Sequence, residues 1–593
     1  MNDQRARNQK PRATQFPTQG KPCWRFYRGS SRVRLALLFF ASAAATPAPL
    51  LGTPQPQEAV RSTPEKIVQD ASAAYLAGSY LDSAKLYASC LEQVTGSARR
   101  SNAYNAACSF ALAGSLNEAF EMLSIAIQAG FIDVAHLEVD SDLTALRDDS
   151  RWASMIKDAE SRAGEDKRRW GGAAFKTPWT PELTESERLA GLSLIWAEAR
   201  YGFPNFDQVP DLDWDAAYVA MIPRVLQADT TVRYYRLLKE FIGLLRDGHC
   251  SVTPPRVAEV YEASGCIPPL LTDLVQGKVV VEKALGQEFL DAGIRRGDEV
   301  LSLDGVSISQ YAANAIKPLQ ASSTAHYLDR ITYHWRLLEG PVGPVTLEFR
   351  RRDGQVVQVE SRRIAGDEWS TVPVKRDPSP PSYAFEMRGD DIAYVQLGTF
   401  GDASVTARFS RDFAEISKAQ ALIIDLRDNG GGSSGVGWDI LAHLTDRPFE
   451  VTSWRTLRYS AVQRAWGHAT EYEEHSGHMW PADDSAHFKG PVAVLIGNHT
   501  FSAAEDFVAA FKVLDRGLLV GEPTGGSTGQ PLAFDLPGGG WARITVKRDL
   551  YPNGTDFVGV GIHPDVLVEP TIDEYAERLD VTWRRAAELL LAD

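Results

Sequence analysis

The residues with the types and spacing to do chemistry are Ser502, His249 and the run Gly430-Gly431-Gly432, and each also has a plainer reading. Ser502 follows PVAVLIGNHTF, whose first seven residues are an apolar run of strand length, and it opens SAAEDFVAAFKVL, where apolar residues recur at helical spacing. A serine at such a junction commonly caps the helix. Alternatively its hydroxyl is a nucleophile, with the free amide of Ala503 and the positive helix end facing a developing oxyanion. The glycine run is a tight turn, a phosphate cradle or an oxyanion wall, and the absence of GxxxxGK[ST] disfavours the cradle. His249 lies in LLRDGHCSVTPP, where Gly248 and the prolines stop a helix; it is a surface or capping residue, or a general base. His499, three residues before Ser502, is a rival base that shares the serine's turn and is poorly placed to aim its ring at the hydroxyl.

Elements to hold these groups are legible around them. From residue 383, DIAYVQLGTF, a helix over Phe409 to Ser417, ALIIDLRDNGGGSSG, a helix over Gly435 to Leu444, the 491–497 strand and the serine helix form a βαβ series. Such a series implies a largely parallel α/β core over 383–572, followed by a C-terminal helix over 573–593. In such sheets a site lies beyond the carboxyl ends of the strands, where both the glycine run and Ser502 fall.

Upstream, residues 64–166 read as all-helical, with AYLAGSYLDSAKLYASCL and CSFALAGSLNEAFEMLSIAI echoing each other and Gly78 and Gly114 at matching places. This is similar to tetratricopeptide helix-turn-helix units, either a partner-binding groove or a spacer. Residues 182–255 form a second helical domain that carries His249, and Thr184 with Glu187 has capping-box spacing. Residues 266–365 turn to short strands joined by glycine turns. The expected architecture is therefore multidomain α/β: a helical repeat and helical bundle, a β-rich domain and a C-terminal α/β core.

Composition narrows the classes. A formal charge of -15 over 593 residues argues against nucleic acid as the main partner. The basic stretch Met1 to Arg34 runs into an apolar segment ending in small residues near Ala45. It reads as a secretory signal over 1–45, or as an uncleaved anchor, followed by a linker over 46–63. Cleavage would leave no integral membrane segment and send the chain to an oxidising space such as a bacterial periplasm. There Cys90 with Cys108, or Cys250 with Cys266, could bridge. No cysteine or histidine spacing fits a structural metal, and no cofactor is expected.

Two resemblances follow from quoted residues. GIRRGDEVLSLDG, from Gly293 to Gly305, resembles the central motif of a PDZ domain, although the Gly-Leu-Gly-Phe loop is absent. IIDLRDNGGG, then VAVLIGNHTFSAAED, then VGEPTGGSTGQ resembles the tail-specific, C-terminal-processing serine protease family, and the His249 segment and domain order are most similar to its tricorn-core branch. The resemblance spans about 186–570. It implies Ser502 as nucleophile, His249 as base and oxyanion amides from Gly431 and Ala503, acting on unfolded or C-terminal polypeptide segments. Three departures stand out. Ser527 occupies the place of the processing branch's lysine, Gly248 that of the tricorn serine, and Phe557 and Val558 precede GIHPD where a glutamate is expected. Glu505, Asp556 and Asp247 remain as candidate orienting acids, and His563 reads as structural. The rivals to a secreted endopeptidase are a catalytically silent peptide-binding scaffold and a hydrolase of another acyl substrate.

Overall fold

The strand Val492–Ile496 is buried at every position because both of its pleat faces meet other elements. Val492, Val494 and Ile496 face a core built with Phe507 and Phe511 of the serine helix (Ala503–Leu514) and with Phe409, Phe413, Ile440 and Leu441. Ala493 and Leu495 face the other way, onto Ala586 and Ala587 of the terminal helix Val581–Leu591. This computed structural model describes residues 64–389, 391–483 and 487–592, so the signal and linker segments of the sequence reading lie outside the described residues.

The sheet around that strand has six members, in the order Val566–Leu567, Leu518–Gly521, Val492–Ile496, Ala421–Asp425, Ile392–Leu397 and Tyr383–Arg388. Neighbours are parallel except for the last pair. Its carboxyl edge carries the glycine loop after Asp425 and the turn that leads to Ser502.

The helical segment ahead of His249 does not close its own core. Helices Glu185–Gly202, Trp214–Leu226 and Thr231–Gly243 pack around Phe203, Tyr234 and Phe241, yet the same cluster takes Leu536, Ala542 and Ile544 from the hairpin Pro531–Leu536/Gly540–Thr545. Backbone pairing seals the join, with Ser251, Val252 and Thr253 opposite Arg543, Ala542 and Trp541. Tyr235 adds hydrogen bonds to Pro537 O and from Gly540 N at 2.7 and 2.9 Å. Residues 182–255 and the hairpin thus share one packing unit. The Thr184–Glu187 capping box is present, with Glu187 N to Thr184 Oγ1 at 3.2 Å.

Residues 266–365 hold an antiparallel sheet in the order Leu270–Val275, Lys278–Ala284, Glu299–Leu303, Gly343–Arg350 and Val356–Arg363. Between its third and fourth strands a helical excursion carries Ser323, Thr324, His326 and Tyr327. In the N-terminal helices, Gly78 and Gly114 adopt φ of 75° and 77°, and each ends a helix with the same pair of bonds. Ser79 N reaches Ala74 O as Ser115 N reaches Phe110 O, both at 2.9 Å, so the two echoing sequences fold alike. Among the described residues no helix is long and apolar enough to cross a membrane, and Cys90, Cys108, Cys250 and Cys266 are buried unbridged thiols, which corrects the bridges considered from sequence.

Candidate active site

Ser502 occupies φ 58° and ψ −129°, a backbone region that costs a non-glycine residue about 1–3 kcal/mol. Glu505 N bonds the Ser502 carbonyl at 2.7 Å and not its hydroxyl, so half of the capping box is present, through Glu505, while the serine side chain itself does not cap. The strain turns Oγ out of the helix end, where His249 Nε2 lies 3.1 Å away. Ser502 N bonds Glu505 Oε2 at 3.3 Å and Ser527 O at 3.1 Å, so the sharp turn is braced from both sides. Gly431 packs directly on it: a methyl group at residue 431 would lie 2.6 Å from Ser502 Cβ and 2.8 Å from Phe501 O. Only glycine fits there, and its φ of 96° points the same way.

His249 comes from the other wall. Its ring is 4% exposed and stacks on Phe501 with centroids 4.8 Å apart; Phe501 stacks in turn on Tyr327. Burial, reinforced by the charges of Arg543 and Lys547, lowers its pKa from the usual 6.5 to about 3. Burial thus disfavours the charged ring; in the neutral imidazole one ring nitrogen donates and the other accepts, so the contacts of Nδ1 and Nε2 take their direction from the tautomer.

None of the three acids considered from sequence touches the ring. Asp247 spends its carboxylate on His249 N (2.9 Å), Asn205 Nδ2 (2.9 Å) and Thr545 Oγ1 (2.5 Å), which fixes the backbone that carries the histidine. Asp556 is drawn to Arg548 at 2.5 Å. Glu505, wholly buried, accepts from Thr524 Oγ1, Gly526 N and Ser527 N at 2.6, 2.8 and 2.8 Å. The group at Nδ1 is the hydroxyl of Ser527, at 2.8 Å. Sequence reasoning noted that serine only as a missing lysine. Its loop after Gly521 was the signal, because it places Ser527 and Glu505 against the serine turn. Burial raises Glu505 from its usual 4.5 to about 7 despite these donors.

Ala503 N, at the helix start, has no acceptor among the described residues, whereas Gly431 N donates to Asn429 Oδ1 at 2.9 Å. His499 lies against the glycine loop, with Nε2 3.5 Å from where a Cβ on Gly430 would be. His563 lends its carbonyl to Lys512 Nζ at 3.2 Å. The inserted β-rich domain roofs both walls. Gly248 N bonds Ser323 Oγ at 3.1 Å, Thr324 Oγ1 bonds Gly525 O at 2.9 Å, and His326 Nε2 bonds Thr524 O at 2.6 Å. No group of three or more His, Cys, Asp or Glu among the described residues is arranged to hold a metal ion.

Residues 391–568 match the family model described as Peptidase family S41. The chain is 27% identical over 299 residues to a chloroplastic C-terminal processing peptidase of Tetradesmus obliquus, covering 50% of this chain and 57% of that one. It is 28% identical over 295 residues to carboxyl-terminal-processing peptidase 2 of Arabidopsis thaliana, covering 49% of each. It thus spans about half the length of the curated relatives it matches. The crystal structure of mature CPAF shares the fold at 18% identity, with a TM-score of 0.53 over 69% of this chain and 98% of that one. The glycine loop, Ser502, Glu505 and Ser527 all fall within the segment that matches this model.

Proposed function

We propose that this chain is a secreted serine endopeptidase that cleaves unfolded or C-terminal polypeptide segments through Ser502 and His249. The observation that carries the reading is the 3.1 Å approach of His249 Nε2 to a strained serine hydroxyl at a helix start. Ser502 Oγ attacks the peptide carbonyl carbon while Nε2 takes its proton. The oxyanion is held by Ala503 N–H, and by Gly431 N–H once Asn429 yields it. Imidazolium then protonates the leaving amine, the C–N bond breaks, and water hydrolyses the acyl-enzyme by the same proton route in reverse.

Ser527 is the positioning residue. By accepting from Nδ1–H it selects the tautomer whose Nε2 lone pair faces Ser502, the service an aspartate performs elsewhere. Glu505 holds Ser527 through its backbone N–H. The carboxyl group is thus one residue removed from the ring, and the low proton affinity of His249 comes from burial and the charges of Arg543 and Lys547. A histidine base in place of a lysine favours the tricorn-like branch. The β-rich domain is read as PDZ-like and the N-terminal helices as a tetratricopeptide-like partner surface. Secretion to a periplasm rests on the basic and apolar lead segment.

A silent peptide-binding scaffold has one observation in its favour, the occupied Gly431 amide. A fluorophosphonate probe with mass spectrometry separates the two readings. Adduct on Ser502 that disappears in His249→Ala supports the peptidase. Absence of adduct where a known serine hydrolase labels fully supports the scaffold.

A further inference from the structure

Arg543 is a half-buried cation without an ion-pair partner among the described residues, close to the reacting pair. It lies on the strand Gly540–Thr545, where Ala542 and Ile544 point into the helical core and the alternate residues Arg543 and Thr545 point to the opposite face. Thr545 meets Asp247 on that face. The cross-strand neighbours of Arg543 are Ser251 and Ala533, both small and uncharged. Its one hydrogen bond among the described residues is from Nε to Ser251 Oγ at 3.2 Å, and no carboxylate there comes within ion-pair distance. Other arginines in the same part of the molecule are paired: Arg548 with Asp207 and Asp556, Arg427 with Asp425 and Asp580, Arg330 with Asp273. In a chain of net charge -15, carboxylates are not scarce.

A partly desolvated guanidinium with free N–H groups is a fork for a carboxylate. Ser251 is two residues beyond His249, and strands lie about 5 Å apart. The fork is therefore within about 10 Å of the Ser502–His249 pair, the span of about three extended residues. The charge of Arg543 also acts on His249, Asp247 and Tyr327 together, so it lies near all three.

Building on the peptidase reading, we propose that Arg543 is a carboxylate-binding subsite. It selects polypeptides that present an acidic side chain or a terminal carboxylate within about three residues of the scissile bond. A bound carboxylate would also cancel the charge that opposes protonation of His249, so the right substrate strengthens the base that acts on it. Selection then appears in both KM and kcat.

The test separates binding from turnover. Ser502→Ala is titrated with fluorescent peptides in matched pairs: Glu against Gln at each of three positions on either side of the cleavage point, and free against amidated carboxyl terminus. At least one pair is expected to show about ten-fold tighter binding of the acid. That preference is lost when Arg543→Gln is added and largely kept with Arg543→Lys, and the responding pair identifies side chain or terminus. Equal affinities across every pair, or a preference that survives Arg543→Gln in protein with an unchanged melting curve, would overturn the subsite. Wild-type turnover of the same peptides reads the peptidase proposal by itself. Discrimination in binding without cleavage keeps the subsite and removes the peptidase, whereas cleavage without discrimination does the reverse.

Discussion

The two walls of this site are built in opposite ways. The serine wall is local: strand Val492–Ile496, a tight turn and helix Ala503–Leu514 are consecutive, and Ser502 is aimed by its own backbone and braced by Glu505 three residues on. The histidine wall is assembled at long range. His249 is seated by Asp247, Thr545, Asn205 and Ser527, and its strand exists only by pairing with residues 541–543. A locally built wall concentrates its chemistry in one residue. A wall gathered from distant segments spreads it over several hydrogen bonds.

The sharpest break in that contrast is Ser502→Ala. Peptide turnover and probe labelling should fall by at least about 10⁴-fold while the midpoint of thermal unfolding stays within a few degrees. Residual turnover above a hundredth of wild type would put the nucleophile elsewhere. Next is Asp247→Ala, which strands Thr545, Asn205 and the His249 amide. Urea unfolding should show a loss of about 3 kcal/mol together with reduced turnover. Stability equal to wild type would mean the wall is held by other contacts.

Ser527→Ala tests orientation alone. We expect kcat to drop about 10- to 100-fold with KM little changed, and Ser527→Thr to recover much of the loss. A rise in KM without loss of kcat would assign Ser527 to substrate binding.

The smallest effect is in pH. Glu505 is raised from 4.5 to about 7, so the folded state holds its proton more tightly than the unfolded one. Its contribution to stability declines as pH rises from about 4.5 through 7. His249, lowered from 6.5 to about 3, has the opposite sign: its contribution is complete above pH 6.5 and is lost as pH falls toward 3. Melting of Glu505→Gln across pH 4.5–7.5 should therefore gain on wild type as pH rises, by up to about 3 kcal/mol at the top. Parallel melting curves would show that the carboxyl is already ionised at pH 5.

The serine wall was legible because its signals sit next to one another: an apolar run, a break, helical spacing, and glycines that only a crowded turn requires. Pairing Ser502 with His249 needed the family resemblance, since nothing near either residue states that they meet. The choice among the candidate acids was not legible for a physical reason. Sequence shows that a carboxylate is available, but not which donors claim it first: Arg548 claims Asp556, and backbone amides claim Glu505. Ser527 was invisible as a partner because a hydroxyl in a glycine-rich loop carries no signal until the loop is placed. That the helical segment shares its core with a hairpin was not legible, because that hairpin is encoded after Leu514.

The late arrival of that hairpin has a consequence for synthesis. A chain made from its amino end presents His249 long before residues 541–543 exist, so the imidazole has no seat until most of the polypeptide has emerged. The seat of the histidine is thus completed late, with its timing set by the order of translation.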